Sequence, residues 1–82
     1  MPKLWTLQLA QSVVRYMYTL PRGQAAVLSD ALAVLRTNPT PEGCQPLIMD
    51  DLPNTYLVTI GEYRIGYQLL AQQRVIRVFV VE

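Results

Sequence analysis

The chain has 82 residues, of which 51% are hydrophobic, with seven Lys plus Arg against six Asp plus Glu. That length makes one domain, which hides only about 60–65% of the surface its unfolded chain exposes and so has a small margin of stability. A net charge of +1 excludes a bulk attraction to nucleic acid and leaves only a local patch for such binding.

Lys3–Leu9 alternates, with Trp5, Leu7 and Leu9 on one face and Leu4, Thr6 and Gln8 on the other, which is the period of a strand. From about Ala10 to Leu20 the apolar residues Val13, Val14, Met17 and Leu20 fall at helical spacing, and Pro21 and Gly23 break the helix. Only one of Tyr16 and Tyr18 can share the buried stripe with Met17. A second helix is expected from about Gln24 to Arg36. Its stripe of Ala25, Leu28, Leu32 and Leu35 is widened by Val27, Ala31 and Val34, which predicts burial over much of its girth. The short link between the helices predicts an antiparallel pair. Asn38-Pro39-Thr40-Pro41-Glu42-Gly43 ends the second helix, because two prolines in three residues hold the backbone extended. Leu47-Ile48-Met49 is apolar without a clear period, and Asp50-Asp51 and Pro53-Asn54 lead into the last part of the chain.

The rest reads as a three-strand antiparallel meander. Gly61-Glu62 suits a type II′ turn, with Gly at the first central position. If Ile60 pairs with Tyr63, then Val58 faces Ile65 and Tyr56 faces Tyr67. The next bend lies within Ala71-Gln72-Gln73, and pairing Tyr67 with Val78 keeps the apolar residues together. One face then holds Tyr56, Val58, Ile60, Tyr63, Ile65, Tyr67, Leu69, Ile76, Val78 and Val80, packed on the second helix near Leu28 and Leu32. The other holds Leu57, Thr59, Arg64, Gly66, Gln68, Arg77, Phe79 and Val81. That second face is neither a clean core nor a clean solvated surface. Gly66 leaves room between Arg64 and Arg77 for a close backbone approach. The expected fold is α+β: an N-terminal strand, an antiparallel helix pair, then the meander, as a single domain over 1–82.

The chemistry-bearing residues are few. Six of the seven cations are arginine, with Lys3 the exception, a bias toward geometric recognition of carboxylate or phosphate. The sequence has no His, which removes the usual general base and the commonest metal ligand. Cys44 is the single cysteine, so no internal disulfide forms and a reducing compartment is expected. No apolar run approaches the ~20 residues that span a bilayer, and no signal-peptide pattern opens the chain. These observations point to a cytoplasmic protein with no cofactor, no metal and no membrane partner.

Two stretches carry a resemblance. Asn38-Pro-x-Pro-x-Gly43 followed by Leu47, and Gly61-Glu62-Tyr63-Arg64-Ile65-Gly66-Tyr67, lie in order within a matching helix–strand layout. Together they resemble the RelE/ParE family, the toxins of type II toxin–antitoxin and plasmid-stabilisation systems, across essentially the whole chain. The resemblance implies a cognate antitoxin as partner. RelE-like members cut mRNA in the ribosome, whereas ParE-like members inhibit DNA gyrase and lack the nuclease residues. In the first kind a sheet-borne arginine contacts the scissile phosphate, and Arg64 matches it. The basic residues of the preceding strand fall at Leu57 and Thr59 here. The family's final Arg, His or Tyr residues fall after Val81, where this sequence has Glu82. RNA cleavage of this type needs a base for the 2′-hydroxyl and charge stabilisation at the phosphate. Arg64 supplies only the second, so the catalytic set reads as depleted and weak or absent cleavage is expected.

The candidate catalytic residue is therefore Arg64, and the candidate RNA- or partner-binding residues are Arg77, Gly66, Leu57, Phe79 and Val81. Three functions stay open: a ribosome-dependent endoribonuclease, a non-catalytic ParE-like or degenerate toxin that binds proteins, and a homodimer that pairs through its open sheet face. Plainer readings also stand. Arg64 and Arg77 can be solvated strand arginines, Tyr63 and Tyr67 core aromatics with a polar edge, Cys44 an unremarked loop thiol, and Asp50-Asp51 solvated carboxylates.

Overall fold

The alternation at the start of the chain becomes strand β1, Thr6–Leu9, in a computed structural model that describes residues 4–82. The Lys3 end of the expected strand lies outside the described residues. Trp5, Leu7 and Leu9 are half-buried against the core, while Thr6 and Gln8 are exposed. Two helices follow, α1 over Gln11–Thr19 and α2 over Arg22–Thr37. Gly23 sits in the first turn of α2 rather than between the helices. Pro21 precedes that turn with φ −56°, a position where its missing N–H costs no helical bond.

The strands complete one five-stranded sheet in the order β1-β5-β4-β3-β2, with β2 at Gln45–Leu47, β3 at Thr55–Ile60, β4 at Tyr63–Leu70 and β5 at Val75–Val81. The β3–β4 and β4–β5 pairs are antiparallel, the expected meander. Two pairings add to it. β1 lies parallel to β5, Thr6 beside Val75 through Leu9 beside Val78, and the intervening chain supplies the long crossover that parallel neighbours require. β2 pairs with β3 at the other edge, Pro46 beside Tyr56. Three residues containing a proline give no strand period, and proline is tolerated there because β2 is an edge strand.

Between β3 and β4 the register is the expected one: Ile60 beside Tyr63, Val58 beside Ile65 and Tyr56 beside Tyr67. Gly61 takes φ +61° and Glu62 stays out of the left-handed region, as a II′ turn requires. The second bend includes Arg74 as its left-handed residue, φ +53°, one position beyond the expected bend. Val58, Ile65, Tyr67, Ile76 and Val78 form one buried cluster with Val13, Leu28, Ala31, Leu32 and Leu35 of the helices, and Tyr56 is half-buried against it.

Two expectations are corrected. α2 is buried along a single stripe, and Val27 and Val34 are 55% and 44% exposed. They lie on a flank of α2 that the described residues leave open, so the apolar pattern was wider than the buried face. The second correction concerns the far end of β5. Tyr67 pairs with Val78, but Gly66 pairs with Val80 and Ile65 with Val81. Phe79 is the extra residue of a β-bulge, and a one-residue insertion exchanges the two faces beyond it. Val81 therefore enters the core at 9% exposure, and Val80, expected there, turns to the open face beside Gly66.

Candidate functional site

The face of the sheet away from the helices is built by cross-strand pairs. Thr59 of β3 pairs with Arg64 of β4, and Leu57 with Gly66. On the other side of β4, Gln68 pairs with Arg77 of β5, which in turn lies beside Gln8 of β1. Because Tyr63 and Ile65 point into the core, Arg64 must point away from it, and its side chain is 59% exposed. Arg77 is exposed on the same side. Arg64 and Gln68 are four residues apart on one strand, so the two arginines are separated by about 13 Å along the sheet. They flank the middle of the face rather than converge on it.

That middle is apolar, and Gly66 sets its shape. A Cβ on Gly66 would lie 2.5 Å from Val80 Cγ1 and 3.2 Å from Phe79 Cε2. The space a side chain would take is thus filled by Val80 and the Phe79 ring. The bulge is what brings both over the glycine, and Leu57 borders them from β3. Gly66 does provide a close approach, but the groups approaching are the chain's own.

Beyond the bulge the β4–β5 ladder continues one pair further. The Arg64 N–H donates to the Glu82 carbonyl at 3.0 Å, and the Glu82 N–H donates to the Arg64 carbonyl at 2.9 Å. This reciprocal pair puts the two side chains on one face, and Arg64 Nη1 lies 4.0 Å from Glu82 Oε2. Without the bulge Val81 would have been Arg64's neighbour. Val80 and Glu82 are the residues of this face that the sequence reading missed. A glycine in the middle of a strand opposite three bulky residues was the available signal.

The opposite end of the face is closed by the chain itself. Gln68 is buried, its Nε2 donates to the Pro53 carbonyl at 3.1 Å, and Thr55 Oγ1 donates to the Leu52 carbonyl at 2.7 Å. The segment before β3 thus folds over this end, turning through Asn54 at φ +57°.

The aromatic residues of the recognised stretches are structural. Tyr67 is fully buried and its hydroxyl donates to the Pro39 carbonyl at 2.7 Å. Its ring stacks on Tyr56 with centroids 5.9 Å apart. Burial first, then the neighbouring Cys44 and Tyr56, push its phenol well above the ordinary range. Tyr63 is also buried and donates to the Gln24 carbonyl at 3.3 Å, tying the β3–β4 turn to the start of α2. Tyr16 is half-buried and Tyr18 is 86% exposed, so one of the two shares the buried stripe. Asp50 and Asp51 are exposed. Among the described residues no group of three or more His, Cys, Asp or Glu side chains is placed to hold a metal ion. No helix among them is long and apolar enough to cross a membrane.

No family model and no curated protein matches the sequence. Solved structures do match the fold. A chain of the toxin–antitoxin complex RelBE2 from Mycobacterium tuberculosis superposes with a TM-score of 0.79 at 20% identity, covering 96% of both chains. The archaeal RelE–RelB complex from Pyrococcus horikoshii gives 0.80 at 18% identity, covering 96% of this chain and 93% of that one. The isolated E. coli RelE toxin gives 0.75 at 20% identity, covering 94% and 81%. The architecture is α+β with a mixed five-stranded sheet, and it is the fold of the RelE toxins.

Proposed function

We propose that this chain is the toxin member of a type II toxin–antitoxin pair, a RelE-like protein that acts on translation with a weakened or lost capacity to cleave ribosome-bound mRNA. The observation that supports it most is the likeness to RelE toxins over nearly the whole chain, together with Arg64 on the open face. Two of the similar structures are complexes with an antitoxin, which favours an antitoxin as the partner here. The reading also takes the protein to be cytoplasmic, to comprise one domain and to need no cofactor.

The roles follow from chemistry. Arg64 is the one candidate catalytic residue: a guanidinium donates hydrogen bonds to a phosphate and offsets its charge, but it is effectively never deprotonated and makes a poor base. Arg77 offers a second such donor at the far side of the apolar strip. Leu57 and Thr59 carry no charge to help either. Leu57, Gly66, Phe79 and Val80 favour a second reading, in which the face is chiefly a protein-docking surface, as in a ParE-like or degenerate toxin. Val81 has no part in it, being buried.

The test is co-expression with the product of an adjacent small reading frame. A stable complex is expected, weakened by Leu57→Asp but not by a substitution at exposed Tyr18. No complex with that product, and a chain that instead forms homodimers by light scattering, would favour pairing through the sheet face and overturn the toxin reading.

A further inference from the structure

We infer that Glu82 is a specificity-determining residue of the open face: it occupies Arg64 and holds that guanidinium back from phosphate. The inference rests on the reading of Arg64 as the anion contact of this face. The position of Glu82 is built in by the backbone. The reciprocal bonds between Arg64 and Glu82, at 3.0 and 2.9 Å, fix the two residues as a cross-strand pair, and their charged groups come within 4.0 Å. The Phe79 bulge is what selects Glu82 for this place, since an unbroken ladder would have set Val81 there and turned Glu82 toward the helices.

The consequence is electrostatic. A phosphate approaching Arg64 must displace the carboxylate or accept its repulsion, and Thr59 on the other side contributes no charge. Both side chains are largely exposed, so the penalty is moderate and screened by salt. An exposed pair of this kind is worth a factor of roughly five or less in an equilibrium. Removing the carboxylate frees Arg64 and also removes its direct repulsion of the ligand. The ligand class concerned is single-stranded RNA, presented through its phosphates. A protein segment meeting Arg64 through a neutral or apolar group is not penalised in the same way.

The test is a binding titration of the whole chain with a fluorescently labelled single-stranded RNA decamer at low salt. Wild type is compared with Glu82→Gln, Arg64→Ala and the double variant. Glu82→Gln is expected to tighten binding by roughly three- to five-fold, an effect that shrinks with added salt and is clearly smaller in the Arg64→Ala background, where only the direct repulsion of the ligand is relieved. Equal tightening with and without Arg64 would mean a general charge effect and would overturn the assignment. So would no tightening, or no measurable binding by Glu82→Gln. If Arg64→Ala weakens binding while Glu82→Gln changes nothing, the inference alone fails. If Arg64→Ala has no effect even with Glu82→Gln in place, the reading of Arg64 as the anion contact fails and the inference goes with it.

Discussion

Tyr67 joins the two most recognisable stretches of the sequence through one bond: the hydroxyl of the second stretch donates to the Pro39 carbonyl of the first. The proline-rich bend is therefore anchored to β4, and the tyrosine is needed for structure rather than catalysis. Tyr67→Phe should destabilise the fold by about 1–3 kcal/mol, the cost of leaving that carbonyl without its donor, measurable by urea unfolding. The same residue predicts alkaline sensitivity. Its folded-state phenol is raised above the ordinary value of 10.0, so the unfolded chain loses this proton first as pH rises. Its contribution is fully present below pH 10.0 and is lost as pH rises above that value toward the folded one. Stability followed from pH 8 to 11 should fall at the upper end, less steeply in Tyr67→Phe. Gly66 is the other residue of consequence. Its Ala variant would press on Val80 Cγ1 at 2.5 Å, and valine is too stiff at χ1 to swing clear. Gly66→Ala should cost about 1–3 kcal/mol, as overpacking does, and should disturb the bulge beside it.

At the level of elements, the pleat decides which residues of β5 face the core, and the bulge resets the count once. Val80 and Val81 give a direct test because they are identical and adjacent. Val81→Thr buries a hydroxyl in the core and should cost about 1–3 kcal/mol, whereas Val80→Thr on the open face should cost little. The reverse ranking by thermal unfolding would mean an unbroken ladder. This is also where the sequence stopped being legible. Two helices, the β3–β4 register and the outward direction of Arg64 followed from apolar spacing and one Gly-led turn. The bulge did not, because Val78-Phe79-Val80-Val81 is apolar throughout and reads equally well in either parity. β2 and the parallel β1–β5 pairing were hidden for a related reason. Both depend on backbone pairing between distant segments, and three residues with a proline leave no periodic trace.

Across the whole molecule, charge and fold pull the functional reading in different directions. The fold is that of RelE toxins, and Arg64 stands exposed on the open face of the sheet. Around it, however, stand a carboxylate, a threonine and an apolar strip, and the sequence holds no histidine. Losing one general acid–base group typically removes about 10²–10⁴ in rate. Arg64, Gly66, Leu57 and Arg77 were legible as residues of one face because strand alternation put them there, whereas Val81 was assigned to it wrongly and Val80 was missed. The balance of charge on that face was not legible, since it turned on which of Val81 and Glu82 lies beside Arg64. We propose a RelE-like fold whose cleavage chemistry is depleted. Primer extension on translating ribosomes, with wild type beside Arg64→Ala, tests it most directly. Little or no codon-linked cleavage is expected from either protein. Strong cleavage by the wild type that Arg64→Ala abolishes would contradict it.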